Sequence, residues 1–325
     1  MKFSIHLSTR IHDKRDELAL INYMTDLALW ADAEGFGGIS LTEHHIHENQ
    51  GYQNSLLFAC ALAPRLKQAA IVLATVNPAI HHPVRLVESC NLIDQLNGGR
   101  LVVGFGSGFK DTDLVAFGRD LAQRHELFEQ GLKAALEVWA YQGGAGPLEV
   151  TVGTDRARIE GPVNPSSLRK PHPILARGTL NEAGRLEAAR LGWAMFTTAK
   201  SIDHAREQIS PYHAALNASG HPPEQIALAK EWSAVAKAIH ISDTDEQARA
   251  EALEFFGRNP SGAIARNPDD MICGSPETVA RFLRGLSDAG VGQMICGFLI
   301  DLTNKAPLQK CLRLFRDEVM PAVRA

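Results

Sequence analysis

The chain has 325 residues, 45% of them hydrophobic, and a formal net charge of -4 with acidic and basic residues interspersed. That content can bury one large α/β barrel or two ordinary domains, and with no stripe of Lys and Arg to neutralise phosphates no nucleic-acid partner is expected. Cys60, Cys90, Cys273, Cys296 and Cys311 are far apart, sit in apolar surroundings and show no metal-ligand spacing, so they read as buried thiols of a reducing compartment. Neither a signal-peptide stretch nor a run of membrane-spanning length is found, so a cytoplasmic protein with no membrane contact is expected.

In chain order, a strand is predicted over residues 2–7 and a helix over 17–34, stopping at Gly35. Further strands are predicted over 37–41, 70–75, 101–104, 173–176, 193–196, part of 226–241, and 293–298. Most are followed by apolar residues at helical spacing, such as Leu86, Cys90, Ile93 and Leu96. Eight βα units in sequence predict a (β/α)8 TIM barrel, since an open doubly wound sheet would carry a phosphate loop after its first strand and Ser8-Thr9-Arg10 is not one. Two stretches rich in Gly and Pro, 143–167 and 257–274, read as loop insertions. With no repeat or linker, residues 1–325 are read as a single domain.

A barrel of this kind works at the C-terminal ends of its strands, and unusual polar residues fall there. The second strand is followed by Thr42-Glu43-His44-His45-Ile46-His47, the third by Asn77 and His81-His82-Pro83, and the fourth by Gly104-Phe105-Gly106-Ser107-Gly108. The fifth ends in Arg177-Gly178-Thr179 and the sixth in Thr197-Thr198. The histidines have the residue type of a metal site, but neighbouring ones point in different directions, so no metal is expected. His47 and His81 read better as groups that satisfy backbone at loop starts. The 104–108 run lacks the third Gly spacing of a dinucleotide fingerprint and reads instead as backbone approaching a flat or anionic ligand. Arg177, Gly178 and Thr179 before a helix suit a phosphate, although Arg177 is equally readable as a surface cation.

With these residues the sequence resembles the bacterial luciferase family of flavin-dependent monooxygenases. The likeness extends through 82–88, 91–100, 274–277, 294–298 and 314–321. It implies a barrel that binds reduced FMN supplied by a separate flavin reductase, admits oxygen, and oxidises a small organic substrate through a flavin hydroperoxide. His44 takes the place of the family's catalytic histidine and is the expected general acid or base. Glu43 is expected to orient His44 or to carry a buried charge, and Asp113 to act on the flavin ring through its charge. The resemblance also implies a cis peptide between Ala74 and Thr75 against the cofactor and His82 in the flavin pocket. Gly106, Ser107, Ala176, Arg177, Gly178 and Thr179 complete the expected cofactor contacts, and 257–274 corresponds to the family's lid. Luciferase has a reactive cysteine and an arginine where this chain reads Gly106 and Ser107, so Arg177 must supply the phosphate charge and a substrate other than a light-yielding aldehyde is implied. A deazaflavin-dependent hydride-transfer enzyme and a non-catalytic flavin-binding partner subunit are the alternatives. A homodimer is expected through 53–67 and 84–95, with Ala59, Ala61 and Ala63 permitting close packing.

Overall fold

In the computed structural model, which describes residues 1–8, 16–46, 51–108, 110–144, 146–258, 265 and 267–324, each predicted apolar run becomes a parallel strand. The order is β1 (Lys2–His6), α1 (Glu17–Ala33), β2 (Gly38–Leu41), α2 (Ser55–Leu62), β3 (Ala70–Val76), α3 (Pro83–Leu96), β4 (Leu101–Phe105), α4 (Asp111–Ala116) and α5 (Arg124–Ala140). An antiparallel hairpin follows, β5 (Leu148–Val152) and β6 (Asp155–Ile159), and then β7 (Ile174–Gly178), α6 (Glu182–Leu191), β8 (Ala194–Thr198), α7 (Ile202–Asn217) and α8 (Pro223–Trp232). The chain continues through β9 (Ala234–Ile241), α9 (Asp245–Arg258), β10 (Ile272–Gly274), α10 (Pro276–Asp288), β11 (Gln293–Phe298), α11 (Ala306–Leu314) and α12 (Met320–Arg324).

The strands β9, β11, β1, β2, β3, β4, β7 and β8 pair in that order, and β8 pairs back onto β9, which closes an eight-stranded parallel barrel. Alternation along each strand divides the side chains into two sets. Val72, Val102, Ala176, Ala194, Phe196 and Ala234 belong to a core inside the barrel. Ile39, Leu73, Val103, Leu175, Val235 and Met294 face the other way and pack under the helices. The inner set is dominated by small residues toward the strand ends, and this leaves room at the mouth.

Stretch 226–241 divides at Ser233. Pro222 and Pro223 start α8, whose last turn ends where the Ser233 hydroxyl bonds the Ala229 carbonyl at 2.7 Å and accepts the Met195 N–H at 3.0 Å, and only then does β9 begin. β10 was not predicted. Its three residues pair in parallel with Ile239, His240 and Ile241, beyond the part of β9 that pairs with β8.

Several residues that carry the family likeness work far from the mouth. The Asp94 carboxylate accepts the Ser167 hydroxyl at 2.6 Å and the Leu168 N–H at 2.8 Å, and Asn91 donates to the Pro165 carbonyl at 2.8 Å while accepting from Trp139 Nε1 at 2.8 Å. They fasten the insertion at 143–167 to α3. Of the expected lid, 259–264 and 266 lie outside the described residues, as does His47. Among the described residues no helix is long and apolar enough to cross a membrane.

Candidate active site

At the end of β2 the chain turns inward through residues 42–46, and three groups lock it. The Tyr52 hydroxyl donates to the Leu7 carbonyl at 2.5 Å and accepts the Thr42 N–H at 3.1 Å, tying β1 to β2. Asp113 accepts the His45 N–H at 3.1 Å. Ile46 adopts φ +52°, a left-handed conformation that a β-branched side chain resists, and its N–H reaches Gln53 Oε1 at 3.0 Å.

Glu43 is buried, with 2% of its side chain exposed. Burial pushes its carboxyl up, but the His81 charge, hydrogen bonds from His45 and His81 and the Asn77 N–H outweigh it and hold the group down to about 2. Its Oε1 accepts from His81 Nε2 at 2.7 Å and lies 3.4 Å from His45 Nε2, while Oε2 accepts the Asn77 N–H at 2.9 Å. Glu43 therefore joins the loops after β2 and β3 instead of gripping His44. Asn77 continues the linkage to the next loop, where its Nδ2 donates to the Ser107 carbonyl at 3.4 Å.

His44 faces Asp113 instead, with Nδ1 3.9 Å from Oδ2, and its Nε2 lies 3.3 Å from Thr42 Oγ1. Burial lowers its pKa, the Asp113 carboxylate opposes that shift, and Lys110 adds to it. At neutral pH the imidazole is thus mainly unprotonated. Below it, His6 is buried with Nδ1 3.0 Å from Ser40 Oγ, and burial with the neighbouring His44 charge pushes its pKa down to about 4.

Two cavities open at this mouth. One, of about 150 Å³, is lined by Thr42, Glu43, His44, Asn77, Ile80 and Asp113. The other, of about 1000 Å³, has Phe196, Ala236 and Ile295 in its lining and reaches Arg177, Gly178 and Thr179. Both touch Ala74, Thr75, Gly106 and Gly108, so they share one wall.

The sequence builds that wall from residues without bulk. The Ala74–Thr75 peptide is cis. A side chain at Gly106 would collide with Thr75 Oγ1, and a Cβ at Gly178 would lie 2.6 Å from Thr75 Cγ2, so Thr75 seats between two glycines. A Cβ at Gly104 would lie 2.6 Å from the Phe196 ring, and its absence lets that ring floor the large cavity. Such a flat, small-residue wall over an apolar floor fits a planar ring system, and the volume is that of a cofactor site.

The remaining predicted residues divide. Ser107 lines the large cavity, Ala176 lies in the inner core beneath it, and His82 stands at the N-cap of α3 and lines neither cavity. Its neighbour His81, read from sequence as a backbone partner, is the one that reaches Glu43. Arg177 is no free surface cation. Its guanidinium lies 3.9 Å over the Phe128 ring and 3.1 Å from both Glu129 and Glu187. Sequence reasoning overlooked those two glutamates, because nothing in their spacing relates them to a strand end, and it placed Asn77 after β3 without giving it the linking role seen here.

Related proteins share this architecture. A FMNH(2)-dependent dimethylsulfone monooxygenase of Pseudomonas putida is 24% identical over 336 residues, covering 94% of this chain and 88% of its own. The crystal structure of monooxygenase RslO1 from Streptomyces bottropensis superposes with a TM-score of 0.84 at 22% identity, covering 99% of both chains. The oxygenating constituent of 3,6-diketocamphane monooxygenase from Pseudomonas putida, a type II Baeyer-Villiger enzyme in complex with FMN, gives 0.81 at 18% identity, covering 99% of this chain and 98% of its own. The family model described as luciferase-like monooxygenase matches residues 1–293, and the chain belongs to that family.

Proposed function

We propose that the protein is a flavin-dependent monooxygenase that takes reduced FMN from a separate reductase and, with oxygen, oxidises a small organic substrate bearing a carbonyl group. The observation that carries this reading is the pair of unequal cavities on either side of one small-residue wall. The larger holds the flavin, its ring against Ala74–Thr75 and Gly106 and its phosphate toward Arg177, Gly178 and Thr179. The smaller, about 150 Å³, suits a substrate of few heavy atoms.

Reduced flavin supplies the electrons that activate oxygen, and the chain supplies position and proton transfer. His44, unprotonated at neutral pH, accepts a proton from the reacting group and returns it. Asp113 sets how basic that imidazole is, and Glu43 with Asn77 fixes the loops around it. Phe196, Ala236 and Ile295 keep water from the ring. Residues 1–325 act as one unit.

We further propose a homodimer through α2 and α3. Ala59 and Ala63 are fully buried within the chain and cannot form its surface, whereas Leu57, Leu92 and Leu96 are exposed there. Light scattering that returned a monomer would remove that proposal.

The test is anaerobic titration with reduced FMN and, in parallel, with a reduced deazaflavin coenzyme, followed by oxygen. A long-lived absorbance of a flavin hydroperoxide with FMN is the expected result. Binding of the deazaflavin alone, without an oxygen reaction, replaces the reading with hydride transfer.

A further inference from the structure

Arg177 leaves the end of β7 and is held from both flanks. One guanidinium nitrogen, Nη2, lies 3.1 Å from Glu129 Oε1 on α5 and 3.1 Å from Glu187 Oε2 on α6. The side chain is 13% exposed, and the other terminal nitrogen, Nη1, is buried with no hydrogen-bond partner among the described residues. All three side chains line the large cavity, together with Arg190. Two guanidinium groups and two carboxylates thus line that end of the cavity, and the part read as a phosphate site carries no surplus of positive charge from them.

A phosphate monoester brings about -1.5 to -2 at neutral pH. It gains from the guanidinium charge and is repelled by the carboxylates that already claim that guanidinium. The two glutamates do opposite things at once: they fix the direction of Arg177 and they weaken its attraction for an anion. We propose that Glu129 and Glu187 are specificity-determining residues of the flavin site, which aim Arg177 at the phosphate while lowering phosphate affinity so that the flavin exchanges readily between turnovers. This rests on the reading that FMN places its phosphate at Arg177. Glu187, with 24% of its side chain exposed against 53% for Glu129, is the less screened of the two and has the larger effect.

The test measures anaerobic binding of reduced FMN and reduced riboflavin, which differ only in the phosphate, to the wild type, Glu187→Gln, Glu129→Gln and the double variant. The amides keep shape and can still accept a hydrogen bond from Arg177. FMN is expected to bind about threefold to tenfold tighter to Glu187→Gln, less so to Glu129→Gln, and riboflavin to bind all four proteins alike. In an Arg177→Gln background FMN is expected to bind more weakly while Glu187→Gln still improves it, because the carboxylate repels the phosphate directly, and a melting curve identifies any variant that fails to fold. Unchanged or weaker FMN binding, in proteins that still prefer FMN to riboflavin, overturns the role of the glutamates and leaves the phosphate placement standing. Equal binding of FMN and riboflavin in the wild type and in every variant overturns the placement itself, and the proposal with it.

Discussion

The two sides of the barrel mouth are built on different principles. Around the ends of β1 to β4, His6, Glu43, His44, His45, His81 and Asp113 crowd into a partly buried network in which loops are joined through side chains. Around β7 to β9 the cavity is wide, its floor is Phe196, Ala236 and Ile295, and its charges are the compensated set about Arg177. Where charges are desolvated and fixed, protonation states are set by geometry; where they are balanced and partly open, a ligand can enter and leave. One side is suited to moving a proton and the other to exchanging a cofactor.

The sharpest way to break this contrast is His44→Ala. Turnover should fall by roughly two to four orders of magnitude while reduced FMN still binds, because His44 lines only the smaller cavity. Equal loss of binding and turnover, measured by titration and by substrate oxidation, would show that the two sides are not separable.

Glu43→Gln comes next, and its effect is on stability. It weakens the acceptor for His81 and the Asn77 N–H in a buried setting, at a cost of about 2–3 kcal/mol in urea unfolding. The sign with pH follows from the lowered carboxyl. The contribution is complete above the ordinary value of 4.5 and is lost as pH falls toward about 2. Wild type should lose stability across that window, and the glutamine variant should lose less.

On the opposite side, Gly104→Ala should cost about 1–3 kcal/mol, since the added carbon would meet the Phe196 ring at 2.6 Å and the Leu73 carbonyl at 2.8 Å. A melting curve with no shift would show that this floor yields. The smallest expected effect sharpens the comparison instead of breaking it. Asp113→Asn removes the carboxylate that opposes the burial shift of His44, so the acid limb of the pH–rate profile should move to lower pH, by about one unit or less. A move to higher pH would mean that His44 is not the titrating group.

The barrel was legible because each strand is a short apolar run and the helices between them carry helical spacing. The stretch 226–241 holds a strand in part, as expected, but apolar residues lie on both sides of Lys230, Glu231 and Ser233, so the spacing did not mark its start, which the Ser233 contacts define. β10 hid in a stretch of Gly and Pro and is strand only because β9 extends far enough to receive it. His44 and Glu43 could be found because they follow a strand, and Asp113 from the family likeness, yet the partner of Glu43 could not. Whether it meets His44 or His81 depends on the direction of neighbouring loops around the mouth, which spacing along the chain does not encode. Glu129 and Glu187 lie on helices 48 and 10 residues from Arg177, and their convergence is a product of closure. Asn91 and Asp94, by contrast, stand out in the sequence for reasons of architecture and not of chemistry.

β10 has a consequence for chain length. It returns the chain to β9, Lys237 on β9 bonds the Asp270 carbonyl at 2.9 Å, and Asp245 at the start of α9 accepts the Ser275 N–H at 2.6 Å and the Thr278 hydroxyl at 3.0 Å. The residues just before β10 are thus fastened to β9, and those just after it to the start of α9. Doubling the length of a closed loop costs in general only about 0.6 kcal/mol. A change of chain length between α9 and β10 would leave these contacts, and the barrel strands they hold, in place.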